Sequence, residues 1–138
     1  MANAARAYLD AHPASGVLRM TNGFLGSVAN ADTYWPLLMR SRIALCPRGG
    51  VAETYRFFDA AAAGCAIISE ALPRAWYYDR HPAIIIRNWK QLGGVLERLL
   101  QDEDKMLELA DRSTQYWNNR VCESAVAEYI ARRLTRPV

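Results

Sequence analysis

Residues 46–65, CPRGGVAETYRFFDAAAAGC, lie between two short apolar runs, Ile43–Leu45 and Ala66–Ile68. Short apolar runs next to glycine or proline are typical of strands buried in a parallel sheet. The stretch between them predicts a loop containing two glycines and then a helix that Gly64 closes. Strand, loop, helix and strand in this order form the repeating unit of α/β proteins.

Further elements are predicted on both sides of this unit, and they alternate between strand and helix up to Asn88. The alternation predicts an α/β fold, a doubly wound parallel sheet of four or five strands with a helical C-terminus. A length of 138 residues suits one domain spanning 1–138. The other predicted elements are a helix from Ala2 to His12, a strand from Val17 to Met20, a helix from an Asp32 cap through Met39, a strand from Arg42 to Cys46, a strand from Cys65 to Ser69, a strand from Ala83 to Arg87, and three helices after Asn88, the last of which carries Cys122.

Composition excludes several classes of function. No apolar stretch is long enough to span a membrane, so we expect a cytoplasmic chain without a membrane span. The net charge is only +3 and the arginines are scattered, which argues against a nucleic-acid surface. The three cysteines form no paired motif, and the two histidines lie far apart in sequence, so no metal site is predicted.

The loop after Cys46 is the predicted ligand site, because ligands of such sheets bind beyond the carboxyl ends of the strands. Arg48 and Arg56 are candidate phosphate ligands, since a guanidinium can bind two phosphate oxygens at once. Gly49 and Gly50 would let a ligand approach the backbone closely, beside the N-terminus of the following helix. The alternatives are an ordinary glycine loop and surface ion pairs that contribute little.

Three polar residues complete the candidate site. Glu53 and Thr54 stand at the predicted start of the helix, where each either contacts a ligand or caps the helix. Asp59 follows with five residues between it and Glu53, and its carboxylate can accept two hydrogen bonds from a vicinal diol. The alternative for Asp59 is an ion pair with Arg56 or Arg48.

This pattern resembles the C-terminal domain of two-domain glycosyltransferases of the GT-B fold, of the group 1 and exostosin-like types. The resemblance extends from Tyr34 to Ile130 and is carried by SRIALCPRG (residues 41–49) and RFFDAAAAGCAII (residues 56–68). It implies a Rossmann-like domain that binds a nucleoside-diphosphate-sugar donor as substrate, with no separate cofactor. The acceptor site would come from a missing N-terminal domain or a partner subunit.

The resemblance also assigns roles to two acidic residues. Asp59 takes the position where the family commonly has a glutamate that binds the ribose hydroxyls. Glu53 takes the position of an acidic residue that touches the donor sugar, although the interval to Asp59 is shorter than in many members. It identifies no catalytic residue in this chain.

Two other classes of protein fit parts of the sequence. One is a flavodoxin-like or receiver-like binding module. A receiver should have a lysine after a later strand, but the two lysines of this chain, Lys90 and Lys105, fall in predicted helix regions. The other is a non-catalytic interaction domain that kept the fold and lost the site. The loop after Ile68, which includes Ser69, Glu70 and the aromatic run Trp76–Tyr78, would either line a base or sugar pocket or pack in the core.

Overall fold

Three short parallel strands form the sheet in the part of the chain that the structure describes, in the order β1 (Ile43–Cys46), β2 (Ala66–Ser69) and β3 (Ile84–Ile85). The computed structural model describes residues 1–13, 16, 31–50 and 54–135. Cys46, the last residue of β1, pairs with Ser69, the last residue of β2. β1 and β2 therefore end side by side, and the segments that follow them start from one edge of the sheet.

Six α-helices surround the sheet within these described ranges. Short 3₁₀ turns precede β3 and α4, and a π-helical turn, Trp117–Val121, joins α5 to α6. No helix among the described residues is long and apolar enough to cross a membrane. The helices are α1 (Ala2–Ala11), α2 (Ala31–Met39), α3 (Tyr55–Ala62), α4 (Leu92–Gln101), α5 (Glu103–Tyr116) and α6 (Glu123–Leu134).

Helices cover both faces of the central strand β2, all of whose residues are buried. Ile67 points to the cluster that contains Phe57 of α3, whereas Ile68 packs on the other face against Leu92 of α4. Burial on both faces explains why β2 is an unbroken apolar run rather than an alternating one.

Helix α5 passes along the amino edge of the sheet, opposite the edge where β1 and β2 end. The Ser113 hydroxyl donates to the carbonyl oxygen of Cys65, just before β2, at 2.7 Å. Met106 of α5 belongs to the cluster that contains Ile68, whereas Tyr116, at the end of α5, belongs to the cluster that contains Phe57. α5 thus joins the two apolar clusters.

Most of the predicted helices and strands are confirmed, with four corrections. α2 begins at Ala31, so Asp32 lies inside the helix instead of capping it. The strand predicted from Ala83 to Arg87 is reduced to Ile84–Ile85, because only Ile84 and Ile85 pair with β2. Cys122 stands at the N-cap position of α6 rather than within that helix. The described sheet has three strands where four or five were expected, and Val17–Met20 lies outside the described residues.

Gly64 ends α3 in the left-handed region, with φ of +69°, and a Cβ there would lie 3.1 Å from the Thr114 hydroxyl oxygen. We expect Gly64→Ala to lower the free energy of unfolding by about 1–2 kcal/mol, because both the backbone and the contact with α5 oppose a side chain. Gly94, an exposed residue of α4, is the matched control: a Cβ there meets no atom closer than 3.9 Å. Gly94→Ala should stabilise by up to about 1 kcal/mol in the same urea denaturation measurement. Equal effects at both positions would contradict this account of Gly64.

Candidate functional site

The carboxyl edge of β1 and β2 is fixed by a buried hydrogen bond. The Ser69 hydroxyl donates to the carbonyl oxygen of Cys46 at 3.0 Å, in addition to the pairing of the two strands. The loop that carries Arg48 follows β1, and Glu70 follows β2. This bond therefore determines the distance between the two segments that border the site.

Glu70 reaches across from β2 to the loop after β1. Its Oε2 atom accepts a hydrogen bond from the backbone N–H of Arg48 at 3.2 Å. The side chain of Arg48 is exposed and takes part in no ion pair among the described residues. The edge thus presents a carboxylate and a guanidinium from two different loops.

Arg56 lies in the first turn of α3 and is exposed. Its positive charge acts on Tyr34 and on Cys46 and lowers the pKa of each, although other effects outweigh it. Burial raises the pKa of the Cys46 thiol to about 12, so this cysteine is a neutral core residue and not a nucleophile. Arg56 has no ion-pair partner within the described ranges. Its charge is available to an anionic ligand.

Asp59 is held by a residue that sequence reasoning missed. The hydroxyl of Tyr34, on α2, donates to Asp59 Oδ2 at 2.9 Å. Burial and this bond raise the pKa of Tyr34, which keeps it protonated as a donor. The ion pair of Asp59 with Arg56 or Arg48, the structural alternative, is not formed. Tyr34 is 25 residues from Asp59 in sequence, and no local motif links the two.

The remaining candidates are Thr54 at the start of α3 and the glycines of the loop, which the structure describes, and Glu53, which it does not. Thr54 occupies the N-cap position of α3 in extended backbone but makes no side-chain capping bond, so its hydroxyl is not used for capping. Gly49 and Gly50 are exposed, and a Cβ on Gly50 would meet nothing within 4 Å. Packing within the described residues therefore does not require glycine at position 50. Glu53 lies outside the described residues.

The aromatic run after β2 packs against α3 and α6. Tyr78 is buried, with its ring centroid 5.3 Å from that of Phe57 in an edge-to-face contact. Trp76 stacks on Tyr129 of α6, with 3.8 Å between ring centroids. Core packing, one of the two alternatives for this run, accounts for Tyr78, whereas Trp76 is half-buried.

The segments at and after the carboxyl edge therefore carry both positive and negative groups. Arg48, Thr54 and Arg56 can donate to an anion, while Asp59 and Glu70 can accept from hydroxyl groups. Among the described residues no group of three metal-ligating side chains comes together.

No protein-family model matches this chain, and no match was found among curated proteins or solved structures.

Proposed function

We propose that this chain is the donor-binding domain of a glycosyltransferase and holds the nucleoside diphosphate of a sugar donor at the carboxyl edge of β1 and β2. The observation that carries the proposal is the exposed Arg56 in the first turn of α3, without an ion-pair partner among the described residues and one turn before Asp59. A cation and a carboxylate at this spacing match a ligand that has phosphates next to a diol.

The phosphates would lie at the N-terminus of α3. There the guanidinium of Arg56 and the hydroxyl of Thr54 would donate to the phosphates, together with backbone N–H groups at the start of the helix, although the Phe57 N–H already donates to the Thr54 carbonyl oxygen. Arg48 would contribute its side chain from the neighbouring loop. Positively charged donors in these positions stabilise the negative charge that develops on a departing diphosphate.

The hydroxyl groups of the ligand would lie near the two carboxylates. The bond from Tyr34 holds one oxygen of Asp59, which fixes the carboxylate and leaves Oδ1 to accept from a ribose hydroxyl. Glu70 is bonded to the Arg48 backbone N–H, so a phosphate oxygen there would have to displace it. We therefore assign Glu70 to hydroxyl groups of the ribose or the sugar and not to the phosphates.

The whole fold, in this proposal, is a doubly wound Rossmann-like domain whose carboxyl edge faces a second domain or a partner subunit. That second unit would bring the acceptor. The proposal is supported by the parallel pairing of β1 with β2, by the helix between them, and by helices on both faces of β2. The base, the sugar and the acceptor would be selected by loops outside these strands.

The test is calorimetric titration with UDP, GDP and ADP, followed by the 2′,3′-dideoxy form of the nucleotide that binds. We expect one nucleotide to saturate a single site. Asp59→Asn should weaken that ribonucleotide about tenfold and leave the dideoxy form nearly unchanged, because only the ribonucleotide offers hydroxyl groups to the carboxylate. Asp104→Asn, an exposed acidic residue of α5, serves as the control.

Two results would contradict the proposal. The first is the absence of saturation by any of the three nucleotides at millimolar concentration. The second is an equal loss of both forms in Asp59→Asn, which would give Asp59 a purely structural role as the partner of Tyr34. The first result would favour an interaction domain that has this fold without a donor site, and the second would remove the ribose contact that the proposal assigns to Asp59.

A further inference from the structure

The loop between β2 and β3 lines an open cavity of about 630 Å³. This volume lies within the range of small-molecule sites. Its wall combines cationic, acidic, aromatic and histidine side chains, which include Arg74, Trp76, Tyr78, Asp79, Arg80 and His81. The proposed donor site uses none of these residues.

The loop that lines the cavity is bonded to α5 and to the π-helical turn. Arg112 of α5 lowers the pKa of His81 through its charge, and the next residue, Ser113, bonds to the carbonyl of Cys65 at the amino edge of β2. The π-helical turn holds the loop as well, because Arg120 donates to the Trp76 carbonyl oxygen at 2.9 Å. The Tyr116 hydroxyl donates to the carbonyl oxygen of Tyr77. The loop therefore runs down the α3 face toward α5, and its walls are fixed from behind.

Two arginines give the cavity its positive charge. Arg74 and Arg80 are both exposed, and neither forms an ion pair with any of the residues that the structure describes. Asp79 is also exposed and carries the opposite charge. His81 contributes no charge at neutral pH, because burial and Arg112 both lower its pKa. The wall therefore has an excess of one positive charge.

Arg80 adopts φ of +57°, the left-handed region that a residue with a side chain rarely occupies. Such a conformation costs free energy and persists where the surrounding structure enforces it, often at ligand sites. The Nδ1 atom of His81 is buried and has no hydrogen-bond partner in the described part of the chain. A polar molecule beside this ring would supply the missing partner.

We propose that this cavity is a second binding site for a small aryl oxyanion, a phosphate ester or a carboxylate attached to a ring. Arg74 and Arg80 would bind the oxyanion, because guanidinium groups pair with both phosphate and carboxylate in a forked geometry. The half-buried side chain of Trp76 would contact the ring.

The test is an NMR titration of the whole chain with phenyl phosphate, benzoate and inorganic phosphate. We expect phenyl phosphate or benzoate to saturate a site, to shift the amide signals of Arg80 and His81, and to bind more tightly than inorganic phosphate. Tighter phenyl phosphate binding assigns a phosphate ester, whereas tighter benzoate binding assigns a carboxylate. Arg80→Gly should weaken binding about tenfold, since it removes a charged donor.

Arg80→Gly also suits the backbone, because glycine adopts positive φ without strain. The variant should therefore remain folded, and Arg74→Gln, at an exposed position, provides an independent second variant. Arg98→Gln, an exposed arginine of α4 outside the cavity, should change nothing. The proposal would be overturned by three outcomes: no saturation by either aryl ligand, binding unaffected by both variants, or binding lost in Arg56→Gln instead. Because the last variant belongs to the carboxyl edge, failure at one site is distinguishable from failure at the other.

Discussion

Phe57→Ala is expected to lower the free energy of unfolding by about 3–5 kcal/mol, the range for removal of a fully buried aromatic ring. Phe57 is 1% exposed, and its ring makes edge-to-face contacts with Phe58, Tyr78, His81 and Tyr116. These partners come from α3, the loop after β2 and α5. Alanine would leave a cavity where these three segments meet, and the surrounding backbone is fixed by the sheet and by α5.

The measurement is equilibrium unfolding in urea, monitored by circular dichroism. Tyr55→Ala is the matched control, since Tyr55 lies two residues earlier on the same helix and is 88% exposed. It should change the free energy of unfolding by less than about 0.5 kcal/mol. If Phe57→Ala lowers the free energy of unfolding by less than about 1 kcal/mol, the ring is not at the centre of this core. Because small domains have only about 5–15 kcal/mol in total, the full effect would bring the chain close to unfolding.

Arg56→Gln is expected to weaken nucleotide binding by about 10- to 150-fold, which corresponds to the ~1.5–3 kcal/mol of a charge-assisted hydrogen bond. Glutamine keeps a donor and similar helix propensity but removes the charge. Arg56 is exposed and makes no ion pair within the described residues, so the fold should keep its stability. The measurement is the same calorimetric titration that tests the proposed function.

Two controls separate a contact from a general charge effect. Arg98→Gln removes one positive charge from α4 and should leave the affinity unchanged apart from weak, salt-dependent attraction. Arg80→Gly tests whether the nucleotide binds in the cavity lined by the loop between β2 and β3. If Arg56→Gln leaves the nucleotide affinity unchanged and Arg80→Gly lowers it, the nucleotide binds at the loop between β2 and β3 and not at the carboxyl edge.

The strand, loop, helix and strand unit could be predicted from sequence because its signals are local. Two apolar runs of strand length border a helix that Gly64 ends, and Gly64 indeed has a positive φ. The Gly49–Gly50 loop falls at the carboxyl edge for the same reason, since strand direction follows from parallel pairing. Periodicity likewise identified the long C-terminal helices.

Other features depend on contacts between distant segments, which no local pattern reports. The bond from Tyr34 to Asp59 joins α2 to α3, and the bond from Glu70 to Arg48 joins two loops. The cavity beside Arg80 exists because α5 and the π-helical turn hold the loop after β2. Arg80 itself gives no sequence signal for positive φ, as arginine is not a residue that favours it.

The register of β1 and β2 also affects how the chain assembles. Cys46 and Ser69 are joined across the sheet although 23 residues separate them in sequence, so the pairing cannot start from a tight turn. The chain must lose the entropy of closing that segment before the strands gain any hydrogen bond, whereas α4 and α5 form from neighbouring residues. We expect the helices to form early and the carboxyl edge to be completed late. The groups on this edge would then reach their final positions in the last steps of folding.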